Sequence, residues 1–400
     1  MLNGLFNGLS QITTITAMNL RNLPQRMGTS SVAVFGVACV VGVLIGVMSM
    51  ASGFQRTMTS AGSPTTALIM RAGSTSELSS GIGYEQTQLI SQLPGIAKEA
   101  GEPIVSAELY VIVDRLKRTT QTSANVPLRG VEQNAFAVRD DVKIIEGRNF
   151  EPGRNELIVG QGAHSQFSEL DVGSTLKFGP TVWTVVGIFS AGGGLSESEL
   201  WCDVKILQNA YRRGNSFQSV RVKLETPESL DQLKTALASD PQLDMDVQLE
   251  LDYLAAQAEP VSKFIKGVGY PVAILMALGA IFGAINTMYA SVSSRTREIA
   301  TLRALGFGSF PVAVSTLIES LALSIIGGAI GALIVYLLFN GYSASTINFS
   351  SFSQVVFDFA VTGELLAQGI IAAAIIGVIG GFFPAVRAAR LPVANALRET

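Results

Sequence analysis

Four hundred residues with a mean hydropathy of +0.39 and a formal charge of −3 do not describe an ordinary soluble chain; part of it is built for lipid. Residues 53–266 carry 20 Lys and Arg against 26 Asp and Glu, a net −6, which excludes a basic footprint for nucleic acid. Of the two cysteines, Cys39 falls in an apolar run and Cys202 in the polar block, so they make no structural pair, and Cys202 is expected to be a buried thiol. His164 is the only histidine and has no cluster around it, so no metal site is expected.

The chain starts with Leu2, Leu5, Phe6, Leu9 and Ile12 at helical spacing. This predicts an interfacial helix on the inner membrane surface, ended by Pro24, within a cytoplasmic segment 1–29. A cleaved signal peptide is the competing reading. The run Val32–Ser52 starts late and is too long for a signal core, which favours an uncleaved first span over 30–52. Ala38, Gly42 and Gly46 give that span a smooth face.

Residues 53–266 read as a domain outside the membrane. Ala67–Arg71, Glu108–Val113 and Ser219–Leu224 read as strands, and Tyr84–Leu93 as a helix. Pro227 opens a second helix with Leu230, Leu233 and Leu237. Met245, Val247, Leu249 and Leu251 then alternate with polar residues, the pattern of a half-buried strand. Two β-α-β units thus flank a block, 120–215, of short strands and turns such as Glu156–Gly160, Thr175–Phe178 and Trp183–Phe189. The expectation is an α/β subdomain from 53–119 and 216–252, an inserted β-rich subdomain, and a helical stalk over 253–266. Gly192–Gly194 reads as a mobile hairpin loop.

Three more apolar runs follow: Tyr270–Ser291, Val312–Phe339 and Leu365–Phe383. Each can cross a hydrocarbon core of about 30 Å, which takes roughly 20 helical residues. The expected spans are 267–291, 312–339 and 365–383, making four in all. Gly279 and Gly283, Gly327 and Gly331, and Gly377 and Gly381 place a small-residue face on each, suited to a packed bundle and a dimer. Common occurrence of Gly in membrane helices is the plainer explanation. Asn286 and Glu319 are the polar intramembrane residues singled out. A buried carboxylate at Glu319 either touches a proton or substrate, or pairs with a neighbouring span or a cytoplasmic arginine.

The short loops set the orientation. Segment 1–29 has Arg21 and Arg26 without an acid; loop 292–311 has Arg295, Arg297 and Arg303 against Glu298; the tail 384–400 has Arg387, Arg390 and Arg398 against Glu399. Loop 340–364 has no Lys or Arg. The positive-inside bias puts the termini and 292–311 in the cytoplasm, and 53–266 and 340–364 outside.

Within 292–311 a small helix is expected, with Ile299, Leu302 and Leu305 along one apolar side and Arg297, Glu298 and Arg303 on the others. Gly306 and Gly308 stop it, and Pro311 suits the first turn of the next helix. Such a stripe either seats in a partner or rests on lipid headgroups. Catalysis finds no motif: the chain has neither G-x-x-x-x-G-K-[ST] nor G-x-S-x-G.

Arg297–Gly306, R-E-I-A-T-L-R-A-L-G, resembles the cytoplasmic loop of MacB/FtsX-type ABC transporter permeases. The tail Pro384–Arg398, the stretch Ile145–Phe150 with Glu156–Gly160 and Trp183–Phe189, and the start from Ala17–Leu23 are similar to the same family. The resemblance implies a four-helix membrane α-helical protein with a large periplasmic α+β domain, made of a βαβ-type porter-like subdomain and an inserted β-rich subdomain, in the bacterial inner membrane. It implies a dimer with a second permease copy or paralogue, embedded in membrane lipids. It also implies a cytoplasmic ABC ATPase subunit that holds ATP and Mg, with no cofactor on this chain. This chain shows no ATPase domain of its own, so the ATPase is expected on a separate polypeptide. The 292–311 helix becomes a coupling helix through Arg297, Glu298, Ile299, Leu302, Arg303, Leu305 and Gly306. The expected function is export or periplasmic extrusion of a drug, peptide, lipid or lipoprotein, with a periplasmic adaptor as a further partner. The alternative is a mechanotransmission scaffold that regulates a periplasmic enzyme such as a cell-wall hydrolase.

Overall fold

The computed structural model describes residues 2–21, 27–60 and 62–393. Pro24, Arg26, Arg398 and Glu399 lie outside the described residues, and Leu2, Leu5, Phe6 and Leu9 are described by backbone alone. The chain divides into a helical unit (Met1–Ala51, Phe264–Tyr342, Ala360–Thr400) and a sheet unit (Ser52–Lys263, Ser343–Phe359).

Four helices are long and apolar enough to cross a membrane: Met27–Ser60, Glu250–Ser294, Ser309–Phe339 and Gly363–Ala389. The N-terminal helix Leu2–Arg21 and a turn helix Thr296–Ala304 accompany them. Three expected boundaries move. The first helix continues past residue 52 to Ser60. The stalk 253–266 and the second span are one uninterrupted helix, with Pro260 and Pro271 inside it. Pro384, expected to open the tail, lies within the last helix, which runs on to Ala389. Proline removes one helical hydrogen bond, which long flanking helical runs can absorb. Val37, Val41, Ile45, Val335, Leu365 and Ile376 fill the centre of the helical unit.

Among the described residues, the main sheet of the sheet unit has ten strands: β1 (Thr66–Arg71), β2 (Val105–Leu116), β3 (Ser123–Val131), β4 (Lys143–Gly147), β5 (Glu156–Gly160), β6 (Thr175–Phe178), β7 (Thr181–Ser190), β8 (Leu200–Asp203), β9 (Ser219–Lys223) and β10 (Met245–Leu249). Their order is β10-β1-β9-β2-β3-β8-β5-β7-β4, with β6 on β7. The helix Tyr84–Ser91 lies between β1 and β2 in sequence, and Ser229–Ser239 between β9 and β10. The strands β10, β1, β9 and β2 run antiparallel to their neighbours, so each βαβ unit skips one strand and the two interleave as split βαβ units. Leu251, read above as the end of a strand, lies in the long helix instead, which opens at Glu250.

The block 120–215, expected as an inserted β-rich subdomain, continues the same sheet. β2 is twelve residues long. Its start, Val105–Glu108, pairs with β9, and the remainder, Leu109–Leu116, pairs with β3. One apolar core follows this ladder, from Ile69 and Val220 through Val111 and Leu128 to Leu157 and Trp183. Two further expectations change. The 340–364 loop contains a hairpin, β11 (Ser343–Ile347) and β12 (Gln354–Asp358), that folds into the sheet unit. The Val356 N–H donates to Ser198 Oγ at 2.9 Å, and Lys117 Nζ reaches Ser345 Oγ and Gln354 Oε1 at 3.1 and 3.2 Å. The Gly192–Gly194 loop is tied down, because Glu197 Oε1 accepts the N–H groups of Ala191 and Gly193.

Three arginines and four glutamates lie buried together on one face of this sheet. Arg129 grips Glu199 with two donors at 2.7 Å, and its Nη1 reaches Glu77 and Glu108 at 2.8 and 2.9 Å. Arg221 joins Glu77, Glu108 and Glu250, and Arg139 forks onto Glu108. Trp201 Nε1 donates to Glu199 at 2.7 Å and Ser219 Oγ to Glu77 at 2.6 Å. Burial alone would raise the Glu108 carboxyl; Arg139, Arg221 and Arg129 outweigh it and hold the group down at about 2. Glu77 is likewise held well below the ordinary carboxylate range: Arg129 and Arg221 outweigh its burial.

Removing one partner leaves an unpaired buried charge, so Arg129→Met should destabilise the sheet unit by about 3–5 kcal/mol. Both tryptophans, Trp183 and Trp201, are fully buried here, so tryptophan fluorescence during urea unfolding of the full chain in detergent reads this unit. The pH dependence has a fixed sign. Glu108 is depressed from 4.5, so its stabilisation is present above that value and is lost as pH falls from there towards about 2. An unfolding midpoint that stays level across that window would contradict the pairing.

Candidate functional site

The helical unit holds its polar chemistry at one turn. The second long helix ends at Ser294, and Arg295 leaves helical geometry (φ −108°, ψ 11°) before the turn helix Thr296–Ala304 begins. Leu305 caps that helix, and Gly306 turns the chain at φ +98°, a left-handed conformation that favours glycine. Gly308 then caps the third span, its N–H donating to Gln11 Oε1 of the N-terminal helix at 3.2 Å, and Pro311 sits in the first turn.

The expected single apolar stripe is split. Ile299 is 6% exposed and packs with Ile15, Val292, Val312 and Ala388. Leu302 is half-buried, whereas Leu305 is 73% exposed. The reason is the spacing: at 3.6 residues per turn, six residues carry Leu305 about 120° round the helix from Ile299, and Leu305 keeps helical geometry at the cap. Phe310, 71% exposed, stands just beyond Gly308.

The polar residues also divide. Arg297 is exposed, and Glu298 lies 3.4 Å from Arg295 Nε. Arg303 turns back, its Nη1 donating to the carbonyls of Ala389 and Leu391 at 3.0 and 2.9 Å. A cation at these last carbonyls suits the negative end of the fourth helix. Glu319 is 3% exposed and accepts Arg295 Nη1 at 2.8 Å, an ion pair with an arginine of the turn. Arg295 Nη2 donates to Asn19 Oδ1, and Asn19 Nδ2 donates to Ser315 Oγ at 3.3 Å. Sequence reasoning missed Asn19, Ser315 and Phe310, and counted Arg295 only for orientation. The available signal was Glu319 itself: a carboxylate buried among apolar residues requires a cation within reach.

The glycines also fall into two groups. A Cβ on Gly327 would lie 2.5 Å from the Val34 carbonyl oxygen, and on Gly331 2.3 Å from that of Ala38. On Gly377 and Gly381 it would meet Ser324 and Ser320 at 2.8 and 2.5 Å. These four let spans touch inside the chain. Gly42 makes only an ordinary contact with Val335, and Gly46, Gly279 and Gly283 face open space. Asn286 is exposed on the same helix as Gly279 and Gly283.

Comparison with known proteins gives two family matches. The MacB-like periplasmic core domain matches residues 30–240, and the FtsX-like permease C-terminal domain matches 271–393. The chain belongs to the MacB/FtsX-type ABC permease family. It is a multi-pass inner-membrane ABC transporter permease, with the sheet unit in its periplasmic domain. It is 26% identical over 344 residues to the macrolide export ATP-binding/permease protein MacB of Hahella chejuensis, covering 79% of this chain and 50% of that one. It is 26% identical over 303 residues to the uncharacterized ABC transporter permease YknZ of Bacillus subtilis, covering 70% and 72%. This member of the family thus spans half the length of the MacB relative. The periplasmic region of MacB from Actinobacillus actinomycetemcomitans aligns with a TM-score of 0.37 at 15% identity, covering 50% of this chain and 95% of that structure.

The two glycine groups predict opposite outcomes. Gly331→Val forces the first and third spans apart, and overpacking of this kind typically costs about 1–3 kcal/mol. Gly279→Val meets nothing within the chain. Thermal unfolding of the monodisperse protein in detergent should therefore show a clear loss for the first and none for the second. Equal losses would refute the division.

Proposed function

We propose that this permease couples ATP hydrolysis on a separate cytoplasmic ATPase to export or periplasmic extrusion of a substrate of the drug, peptide, lipid or lipoprotein class. The observation that carries it is the turn helix. It is anchored inward by Ile299 and Arg303, yet it leaves Leu305 and Phe310 bare beside it. An anchored short helix with two bare apolar side chains suits helix-in-groove recognition. The arginines of the short loops put this turn on the cytoplasmic side, with Arg297 and Glu298 at the rim of the contact. ATP and Mg belong to the partner. The Hahella chejuensis relative, named as an ATP-binding/permease protein for macrolide export, supports ATP-driven export.

The second span supports a dimer with a second copy or a paralogue. It is the least covered of the four, with 17% of its apolar stretch buried against 39–44% in the others. Its exposed Asn286 is costly against lipid, and Gly279 and Gly283 allow a close approach beside it. On the outer side, 53–119 with 216–252 take the porter-like role, and a periplasmic adaptor is the expected partner there.

The test is co-purification of the ATPase with Leu305→Asp/Phe310→Asp. Burying one such side chain contributes about 1.5–3 kcal/mol, so losing two should weaken binding at least about a hundredfold. The ATPase should be lost while tryptophan fluorescence stays native, and ATP turnover in nanodiscs should fall to that of the free ATPase. Retention of the ATPase with unchanged turnover would overturn the coupling reading and leave the helix resting on lipid.

A further inference from the structure

Arg295 stands at the one residue out of helical geometry between the second span and the turn helix. A hinge there would leave the turn helix free to swing if backbone hydrogen bonds were its only restraint. Beside the packing of Ile299 and the bonds of Arg303, the side chain of Arg295 itself restrains the hinge by reaching three other places in the chain. Nη1 holds Glu319 of the third span at 2.8 Å, Nη2 holds Asn19 of the N-terminal helix, and Nε faces Glu298 of the turn helix at 3.4 Å. Asn19 closes the ring by donating to Ser315 Oγ, one helical turn before Glu319. Arg295, Asn19, Ser315 and Glu319 are all buried. A planar guanidinium serves these acceptors in fixed directions, which a lysine ammonium on a flexible stem does not.

We propose that Arg295 is the positioning residue of the coupling helix: its fork binds the turn helix to the N-terminal helix and the third span, so that the three move as one body when the ATPase moves the turn. The inference rests on the coupling reading above and deepens it. A merely stabilising ion pair would raise the unfolding temperature. It would not decide whether a nucleotide-driven change at residues 296–304 is felt at residues 10–19.

That difference is measurable by hydrogen–deuterium exchange with mass spectrometry on the permease–ATPase complex in nanodiscs, with and without a non-hydrolysable ATP analogue. In the parent, nucleotide should change exchange in 296–304, 10–19 and 310–319 together. In Arg295→Lys and in Glu319→Gln the ATPase should still co-purify and 296–304 should still respond. The response in 10–19 should fall at least fivefold. Arg295→Lys keeps the charge but on a single donor nitrogen without the fork, so it carries the test if Glu319→Gln does not fold, with native tryptophan fluorescence as the check. A parent with no response in 10–19, or variants with the parent's response there, would overturn the joint. An ATPase that fails to co-purify even with the parent removes the coupling reading and this inference with it.

Discussion

Taking a guanidinium or carboxylate out of water is costly unless opposite charges and matching hydrogen-bond partners surround it. Both units of this permease meet that demand with arginine forks. In the sheet unit, Arg129, Arg139 and Arg221 tie together Glu77, Glu108, Glu199 and Glu250, which sit on four separate stretches of chain. In the helical unit, Arg295 does the same on a smaller scale with Glu319, Asn19 and Glu298. Apolar packing tolerates sliding, because one methyl group replaces another at little cost. A forked ion pair does not, so these groups fix which stretches lie side by side.

That specificity matters where backbones already touch. Gly327 and Gly331 bring the third span against the carbonyls of Val34 and Ala38, and Gly377 and Gly381 bring the fourth against Ser324 and Ser320. Close contact of this kind resists separation but says little about tilt. The polar contacts near the turn supply the missing direction: Arg295 from one side, Arg303 on the last carbonyls of the fourth helix, and Gln11 at the Gly308 cap. The turn helix is therefore held on several bearings while two of its apolar neighbours stay bare.

Much of this was legible in the sequence, for reasons that differ by element. The four spans follow from uninterrupted apolar length, and Met245–Leu249 from strict alternation. The continuity of Glu250–Ser294 was not legible, because the polar stalk and the apolar span differ in composition while one helix runs through both. The buried glutamates and arginines were not legible either. A lone Glu108 or Arg129 in a strand reads as a solvent-facing residue, and only the register of β2, β3, β8 and β9 brings their charges together. At the candidate site, the spacing of Ile299, Leu302 and Leu305 was read correctly as helical, but the three do not share one face. Steps of three residues drift round a 3.6-residue helix, which separates the exposed Leu305 from the buried Ile299. Glu319 was recognised as costly; its partner was hidden because Arg295 precedes it by a whole turn helix and a glycine turn.

The hairpin β11–β12 sets an order of assembly. It completes the sheet unit, giving Ser198 Oγ its donor and Tyr110 its partner Ser353, yet it is encoded after the third span. A ribosome adding about 5–20 residues per second needs some seconds to travel from Lys263 to Phe359. Throughout that interval the sheet unit is translated but unfinished, with the seats for Val355, Val356 and Phe357 uncovered. Its folding is thus completed only after two further membrane helices have been made. A contiguous fragment cut out of the middle of the chain would lack the piece that closes it.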